Sequence, residues 1–303
     1  MSNTIDSYYV FASSAAGLVA RTITHPIDTI NIRLQTTTLQ STQPRSAHVF
    51  KTIIFPDLVD RNTSFKEKMQ SVKGLYRGLP VALFFAVPAL SVYLSCYEST
   101  KRKLSTTYHV PQDSSLNHLI SGCAAEVAGG LLFTPMEVMK NRLQTQRGQH
   151  VGLRLFVSNI YKQEGFRGFF RGYWMGLAVF VPHSMAYFAT YEKLKQWVLS
   201  KVDKKHFSIY MACSSTAGVA SILISTPLDI IKTRWQISAA EQGKAYRDGP
   251  IAIAKNMLLK EGRGAFIRGI YARIAWGIPT TAISMTVFEV LKDNKSKILN
   301  ILN

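Results

Sequence analysis

A segment of ten residues occurs three times in the chain, and this repeat restricts the possible folds more than any other feature. Each copy begins with proline, has an acidic residue two positions later and ends in glutamine; the copies are residues 26–35, 135–144 and 227–236. A second segment follows, with glutamate three residues before lysine and ten residues after a proline, at 98–101, 192–195 and 289–292. Six of the eleven prolines therefore occupy equivalent positions. This order predicts three tandem units of similar structure.

Each unit contains two long stretches that are nearly free of charge. The longest are 207–228, 172–191 and 79–97, with 22, 20 and 19 residues, which is close to the length that crosses a bilayer. Weaker candidates are 274–288, 7–20 and 114–136, the last with Glu126 inside it. Helices buried in a large soluble protein would carry charges every turn or two. We therefore expect an all-α membrane protein with six transmembrane helices and both termini on one side.

A third motif, Arg-Gly, opens the second stretch of each unit. Short amphipathic patterns precede it at 153–162 and 251–260, and residues 49–58, within the longer loop 37–72, are a candidate for the first copy. Arginine beside the free N–H groups of a helix start is a suitable anion site, whereas glycine there can also be a simple turn residue and arginine an interface anchor. The three pairs are Arg77-Gly78, Arg171-Gly172 and Arg268-Gly269.

The charge of the chain is strongly positive, with 36 Lys and Arg against 18 Asp and Glu. A nucleic-acid-binding protein would gather its basic residues on one face with aromatic residues between them, but here they recur at the ends of the spans. Hydrolase and phosphate-loop motifs such as GxSxG, HExxH and GKS/T do not occur, and the three cysteines form no metal-binding pattern. We therefore expect neither an enzyme nor a cofactor, a metal site or a nucleic-acid partner.

Taken together, the three triplicated motifs resemble those of the mitochondrial carrier family, and the resemblance covers essentially the whole chain. It implies one transmembrane domain over 1–303, with repeats near 7–105, 113–201 and 206–298. It also implies a protein of the mitochondrial inner membrane that transports a small solute by alternating access, with two rings of ion pairs as gates. Nothing in the sequence requires an oligomer, so we expect a monomer. The Arg-Gly pairs would then bind cardiolipin between the repeats.

The resemblance assigns the charged residues to the two gates. In the matrix gate it pairs acids of the first motif with bases of the next repeat, braced by glutamines; the residues are Asp28, Asn31, Glu137, Lys140, Asp229, Lys232, Gln35, Gln144 and Gln236. In the gate on the cytosolic side, the pairs are Glu98 with Lys195, Glu192 with Lys292 and Glu289 with Lys101, braced by Tyr97 and Tyr191.

One residue departs from this pattern, since position 31 is asparagine where the other repeats have lysine. The resemblance implies that Asp229 faces residue 31, so we expect two ion pairs and at most one neutral hydrogen bond in the matrix gate. The cytosolic-side ring has all six charges. Asn31 also permits a degenerate carrier that acts as an adaptor in the membrane without transport.

Candidate solute contacts lie inside the spans, where ionisable residues are expensive to bury and are functional candidates. Counting back three to four turns from the gate glutamates and adding nearby polar residues gives Arg21, Phe85, Glu126, Val179, Phe180, His183, Arg273 and Trp276. One cation and one anion among aromatic residues favour an amino acid or a coenzyme-like solute. Alternatively, Arg21 and Glu126 neutralise each other across adjacent helices. If Arg21 and Arg273 dominate and Glu126 is only a packing partner of the helices, a carboxylate or nucleotide anion is favoured.

The positive charge is distributed unequally between the two sides of the expected membrane. Segments 28–80, 137–172 and 229–270 carry 23 Lys and Arg against 10 Asp and Glu, a net charge of +13. Positively charged loops tend to remain on the inner side of a membrane. This bias predicts that these segments face the matrix and that both termini face the intermembrane space.

Overall fold

The computed structural model describes residues 7–36, 72–112, 114–146, 152–200, 207–242, 249–267 and 270–293. Within these ranges the chain is helical and contains no strand, which confirms the predicted all-α class. The predicted short helix at 49–58 lies outside the described residues, as do Arg268 and Gly269. The side chains of Glu289 and Lys292 are not described either.

In the part of the chain that the structure describes, six long helices alternate with short segments in the order of the repeats. The long helices are α1 (Ser7–Thr36), α2 (Leu79–Thr107), α3 (Ser115–Thr145), α5 (Tyr173–Leu199), α6 (Phe207–Gln242) and α8 (Ile270–Asp293). The short helices α4 (Leu153–Glu164) and α7 (Pro250–Glu261) confirm the two amphipathic patterns, and each is followed by a 3₁₀ turn. Each long helix continues through its repeat proline.

The largest helix interfaces join one repeat to the next. Helix α2 packs on α3, α5 packs on α6, and α8 packs on α1, which closes the arrangement into a ring. The contact of α1 with α8 includes a hydrogen bond of 3.0 Å from the Thr280 hydroxyl to Thr24 Oγ1. Alanines at every fourth position of α1 (Ala12, Ala16 and Ala20) are fully buried, and such small residues let helices approach closely in a membrane.

Each short helix covers one end of a proline-containing helix with its apolar face. Phe156 and Ile160 of α4 pack in a cluster with Met136 and Met139 of α3. Ile253 and Met257 of α7 pack in the equivalent place against Ile230 and Ile231 of α6. The apolar residues four apart on each short helix therefore bury its inner face and fix the ends of α3 and α6.

Large apolar side chains lie on the outside of the ring. Phe84, Trp174 and Tyr271 are 75%, 71% and 86% exposed, as expected for side chains that face lipid rather than water. Among the described residues, three helices are long and apolar enough to cross a membrane, namely Gly74–Thr107, Ser115–Thr145 and Ala212–Ser238. Helix α5 is uncharged over 173–191, but its tyrosines, proline, histidine and serine lower its mean hydropathy.

Candidate functional site

The first motif brings α1, α3 and α6 together in a ring of charged residues, which we call the first-motif ring (Asp28, Asn31, Glu137, Lys140, Asp229 and Lys232). Lys140 Nζ lies 2.9 Å from Asp28 Oδ2, and Lys232 Nζ lies 2.6 Å from Glu137 Oε2. Both ion pairs join the acid of one repeat to the base of the next. Each has at least one member that is less than one-fifth exposed, so the pairs are shielded from water.

The third acid of the ring has a partner that the repeat pattern does not predict. Asp229 Oδ2 lies 2.9 Å from Arg273 Nη1, on α8 of the same repeat. Asn31 instead accepts a hydrogen bond of 3.2 Å from Gln35 Nε2, on its own helix. The two expected ion pairs are therefore present, but the expected neutral bond between Asp229 and Asn31 is wrong, because an arginine from another helix provides a third ion pair.

The three predicted bracing glutamines are fully buried beside the ring. Gln144 Nε2 donates to Asp28 Oδ2 at 2.9 Å and to Thr29 Oγ1 at 3.1 Å. Gln236 Nε2 donates to Glu137 Oε2 at 3.4 Å, and Gln236 Oε1 accepts from Asn141 Nδ2 at 2.8 Å. In the described structure the amide oxygens of Gln35 and Gln144 have no hydrogen-bond partner. Buried amides of this kind hold the carboxylates in one orientation.

A second layer, formed by the motif arginines, was missed in the sequence. Arg33, Arg142 and Arg234 donate through Nε to the backbone oxygens of Gln144, Gln236 and Gln35, at 2.9, 2.8 and 2.7 Å. Each bond joins two repeats. Arg142 also binds Glu164, and Arg234 binds Glu261, through both guanidinium nitrogens. The signal was present, because the arginines lie at one motif position and the two glutamates precede equivalent glycines.

The second-motif ring lies at the opposite end of the helix bundle and is carried by α2, α5 and α8. It consists of Glu98, Lys101, Glu192, Lys195, Glu289 and Lys292. Of its described acids, neither Glu98 nor Glu192 forms an ion pair within 4 Å with a described base. Glu192 accepts a hydrogen bond from the Ser115 hydroxyl, and Lys195 lies over the ring of Tyr191 at 5.9 Å. The phenol of Tyr97 is bonded to His118 Nδ1 at 2.5 Å. This ring is therefore more open than the first-motif ring.

A cavity of about 460 Å³ lies between α2, α3 and α5, next to the second-motif ring. It contains two of the predicted solute contacts, Phe180 and His183. His183 Nδ1 lies 3.1 Å from Ser225 Oγ, and the Tyr187 hydroxyl lies 2.8 Å from Ser214 Oγ. The lining residues are Tyr93, Leu94, Tyr97, His118, Gly122, Phe180, His183, Ser184, Tyr187 and Phe188.

The other predicted contacts are outside this lining. Arg21 Nη1 donates to the backbone oxygen of Ala82 at 3.3 Å and lies 3.8 Å from Met136 Sδ. In the described structure, Arg21 and Glu126 therefore do not form the ion pair that was considered from the sequence. Phe85 packs against the apolar cluster beneath α3. Val179 is half-buried. The backbone oxygen of the half-buried Trp276 accepts a hydrogen bond of 2.6 Å from the Thr280 hydroxyl. Arg273 lies beside the first-motif ring, where it pairs with Asp229.

The glycine of each described Arg-Gly pair is the left-handed N-cap of the following helix, with φ of 85° at Gly78 and 90° at Gly172. A Cβ on Gly78 would lie 3.0 Å from the Lys140 backbone oxygen, so glycine is required for both conformation and close packing. Arg77 Nη1 donates to the Gln146 backbone oxygen at 2.7 Å. A surface cavity of about 230 Å³ beside Arg77 and Gly78 also includes Lys73 and Tyr76.

Comparison with known proteins agrees with this threefold arrangement. A family model described as mitochondrial carrier protein matches residues 7–108, 111–202 and 203–298. The chain belongs to the mitochondrial carrier family. This carrier is 33% identical to an uncharacterized mitochondrial carrier of Schizosaccharomyces pombe, over 95% of the chain and 98% of that protein.

Other relatives of this carrier have more specific names. Mitoferrin of Dictyostelium discoideum is 30% identical to it, over 94% of each chain. Solute carrier family 25 member 33 of Mus musculus is 29% identical, over 93% of each chain. Members of the mitochondrial carrier family are transporters rather than enzymes, and the carriers related to this chain are mitochondrial inner-membrane proteins. The relatives therefore indicate a solute carrier and do not establish its substrate.

Proposed function

We propose that this carrier moves a small solute across the mitochondrial inner membrane by alternating access, with the first-motif ring as the matrix gate and the second-motif ring as the gate on the cytosolic side. The observation that carries the proposal is the contrast between the rings. Asp28 and Glu137 pair across repeats with Lys140 and Lys232, whereas Glu98 and Glu192 of the other ring form no ion pair with a described base. This is the arrangement expected of a carrier that is closed to the matrix.

The energy of such pairs is suitable for a gate. Taking two charges out of water offsets most of their attraction, so each pair stabilises the closed ring by about 1–2 kcal/mol. A difference of that size changes the ratio of two conformations about tenfold, and a solute that binds one conformation better can reverse it. Alternation then requires that one ring form its pairs as the other releases them.

We propose an amino acid or a coenzyme-like molecule as the solute. Arg273 is engaged by Asp229, so the charges in the spans that lie outside the ring are Arg21 and Glu126, one of each sign. The cavity between α2, α3 and α5 offers flat apolar surfaces at Phe180 and Phe188, with hydrogen-bonding groups at His183 and Tyr187. A zwitterion or a molecule with an aromatic portion fits this combination better than a multiply charged anion.

Uptake by proteoliposomes tests both parts of the proposal. Purified carrier is reconstituted and given a panel of labelled amino acids, nucleotides and carboxylates, and Arg21→Ala and Trp276→Ala are compared with the exposed variant Arg154→Gln. We expect uptake of a zwitterionic or coenzyme-like compound by the carrier and by Arg154→Gln, and a loss of about tenfold in Arg21→Ala. Uptake of carboxylates or nucleotides alone would refute the solute class. No uptake of any compound above empty vesicles would favour the adaptor.

We also propose an orientation of this carrier in the membrane and a contact with cardiolipin. The net charge of +13 on the segments of the first-motif side supports a matrix location for that side and an intermembrane-space location for both termini. Arg77 and Lys73, beside the helix start at Gly78, form a basic surface that suits the phosphates of cardiolipin. The closed ring of helices within one chain supports transport by a monomer.

A further inference from the structure

We infer that Arg273 is the third cation of the matrix gate and replaces the lysine that position 31 lacks. This inference rests on the proposed function, because it assigns a role within the proposed gate. With Arg273 included, the gate has three ion pairs. The third pair joins two helices of one repeat, whereas the other two pairs join different repeats.

The surroundings of Arg273 fix its guanidinium on α6. Nη1 lies 2.9 Å from Asp229 Oδ2 and 3.5 Å from Thr226 Oγ1, which is three residues earlier on the same face of α6. The side chains of Arg273 and Asp229 are 17% and 23% exposed. An arginine held by two groups on one helix keeps a defined position, and it neutralises an acid that would be costly to leave unpaired in the interior.

The repeat indicates why position 273 can serve position 31. Position 273 lies six residues before Pro279, and the equivalent position before Pro182 is Gly176. A Cβ on Gly176 would lie 3.9 Å from the Nζ of Lys232, the gate lysine of the following repeat. By the threefold relation, a side chain at 273 extends into the space beside residue 31. The Arg273 head group therefore occupies the region that a lysine at 31 would otherwise fill.

Asn31 bonds to Gln35 on its own helix, and Asp229 pairs with Arg273 instead. Its side chain is neutral and 5% exposed, and its Oδ1 accepts from Gln35 Nε2. The other two gate pairs join different repeats, but the Asp229–Arg273 pair joins α6 to α8 within the third repeat. Between α1 and α6, Arg234 Nε donates a hydrogen bond of 2.7 Å to the Gln35 backbone oxygen.

A double-mutant cycle tests the ion pair without any solute. The apparent melting temperature of the purified carrier in mild detergent is measured for Arg273→Gln, Asp229→Asn and the double variant, with Arg154→Gln as a matched loss of an exposed arginine. We expect Arg273→Gln to lower the melting temperature by about 2–4 °C. We expect the double variant to lose much less than the sum of the two single losses. Additive effects would overturn the pair.

Rescue from another helix tests the role in the gate. Asn31→Lys is introduced into Arg273→Gln, with Asn31→Met in the same background as a control for side-chain length. We expect the lysine to restore at least half of the lost melting temperature and the methionine to restore none of it, because only a cation at 31 can replace the one at 273. Equal effects of the two substitutions, or no rescue by lysine, would overturn the inference.

The result is independent of the transport experiment. If the cycle and the rescue succeed while no compound is taken up, the proposed transport fails and the third pair stands as a feature of the ring. If uptake is found but the rescue fails, the carrier function stands and Arg273 is only a packing partner of Asp229.

Discussion

The two rings of charged residues have almost the same pattern in the sequence but different contacts in the structure. In the first-motif ring, all three acids have a cationic partner within 3 Å. In the second-motif ring, the described Glu98 and Glu192 have no such partner, and an open cavity lies next to them. Spacing thus identifies which charges belong together, whereas the conformation decides which ring is closed.

Removal of a charge from the closed ring has the largest effect. Asp28→Ala leaves the half-buried Lys140 without its acid and removes one acceptor of the buried Gln144, so we expect a loss of about 3 kcal/mol in stability, seen as a lower apparent melting temperature. Exchange of the two charges, Asp28→Lys with Lys140→Asp, is the control and is expected to restore more than half of that loss. A melting temperature unchanged by Asp28→Ala would show that the ring is not closed by this pair.

The arginine layer should have an intermediate effect. Glu164→Gln removes the charged acceptor of the buried Arg142, and we expect a loss of about 1–2 kcal/mol in the same thermal assay. Glu261→Gln should match it, because Glu261 binds Arg234 in the same way. A clearly unequal pair of values would mean that the layer does not act equally in the two repeats.

A substitution in the lining of the cavity should have a smaller effect on stability. A Cβ on Gly122 would lie 2.8 Å from the end of the Phe180 ring, so Gly122→Ala must displace that ring into the cavity. We expect a loss of at most about 1 kcal/mol together with reduced uptake, since the displaced ring narrows the cavity. Gly218→Ala is the control, because nothing lies within 4 Å of its added Cβ. Equal uptake by the two variants would place the solute elsewhere.

The open ring should give the smallest change in stability. Glu98→Gln removes a charge that forms no ion pair with the described bases of its ring, so we expect a change below about 0.5 kcal/mol in the melting assay. Uptake should nevertheless fall about three- to tenfold, because the conformation closed on this side loses one pair. A thermal loss as large as that of Asp28→Ala would contradict the contrast between the rings.

Much of the fold could be predicted because the repeat gives three copies of each signal. The six long helices, the short helices α4 and α7 and the pairs Asp28–Lys140 and Glu137–Lys232 follow from spacing and resemblance. Arg273 could not be placed, because its equivalents are Ala82 and Gly176 and no repeated signal exists at that position. At those two positions the charged groups come from other helices, Arg21 beside Ala82 and Glu126 beside Gly176.

The solute contacts were predicted less well for a related physical reason. Counting turns back from the gate glutamates locates a level in the membrane but not the direction of a side chain. Phe180 and His183 line the cavity, while Phe85 at the same level packs in an apolar cluster. The lining residues Tyr93, His118 and Phe188 were not selected, since the count back from the gate glutamates reaches other positions.

The central claim, that one ring closes while the other opens, is tested most directly by access to the cavity from each side. Ser184→Cys lines the cavity and is introduced after Cys96, Cys123 and Cys213 are replaced by serine. A membrane-impermeant thiol reagent is then applied to either face of oriented proteoliposomes. We predict rapid labelling from the second-motif side and slow labelling from the other side, which becomes fast when Lys140 and Lys232 are changed to Gln. Equal labelling from both sides before that change would contradict the account.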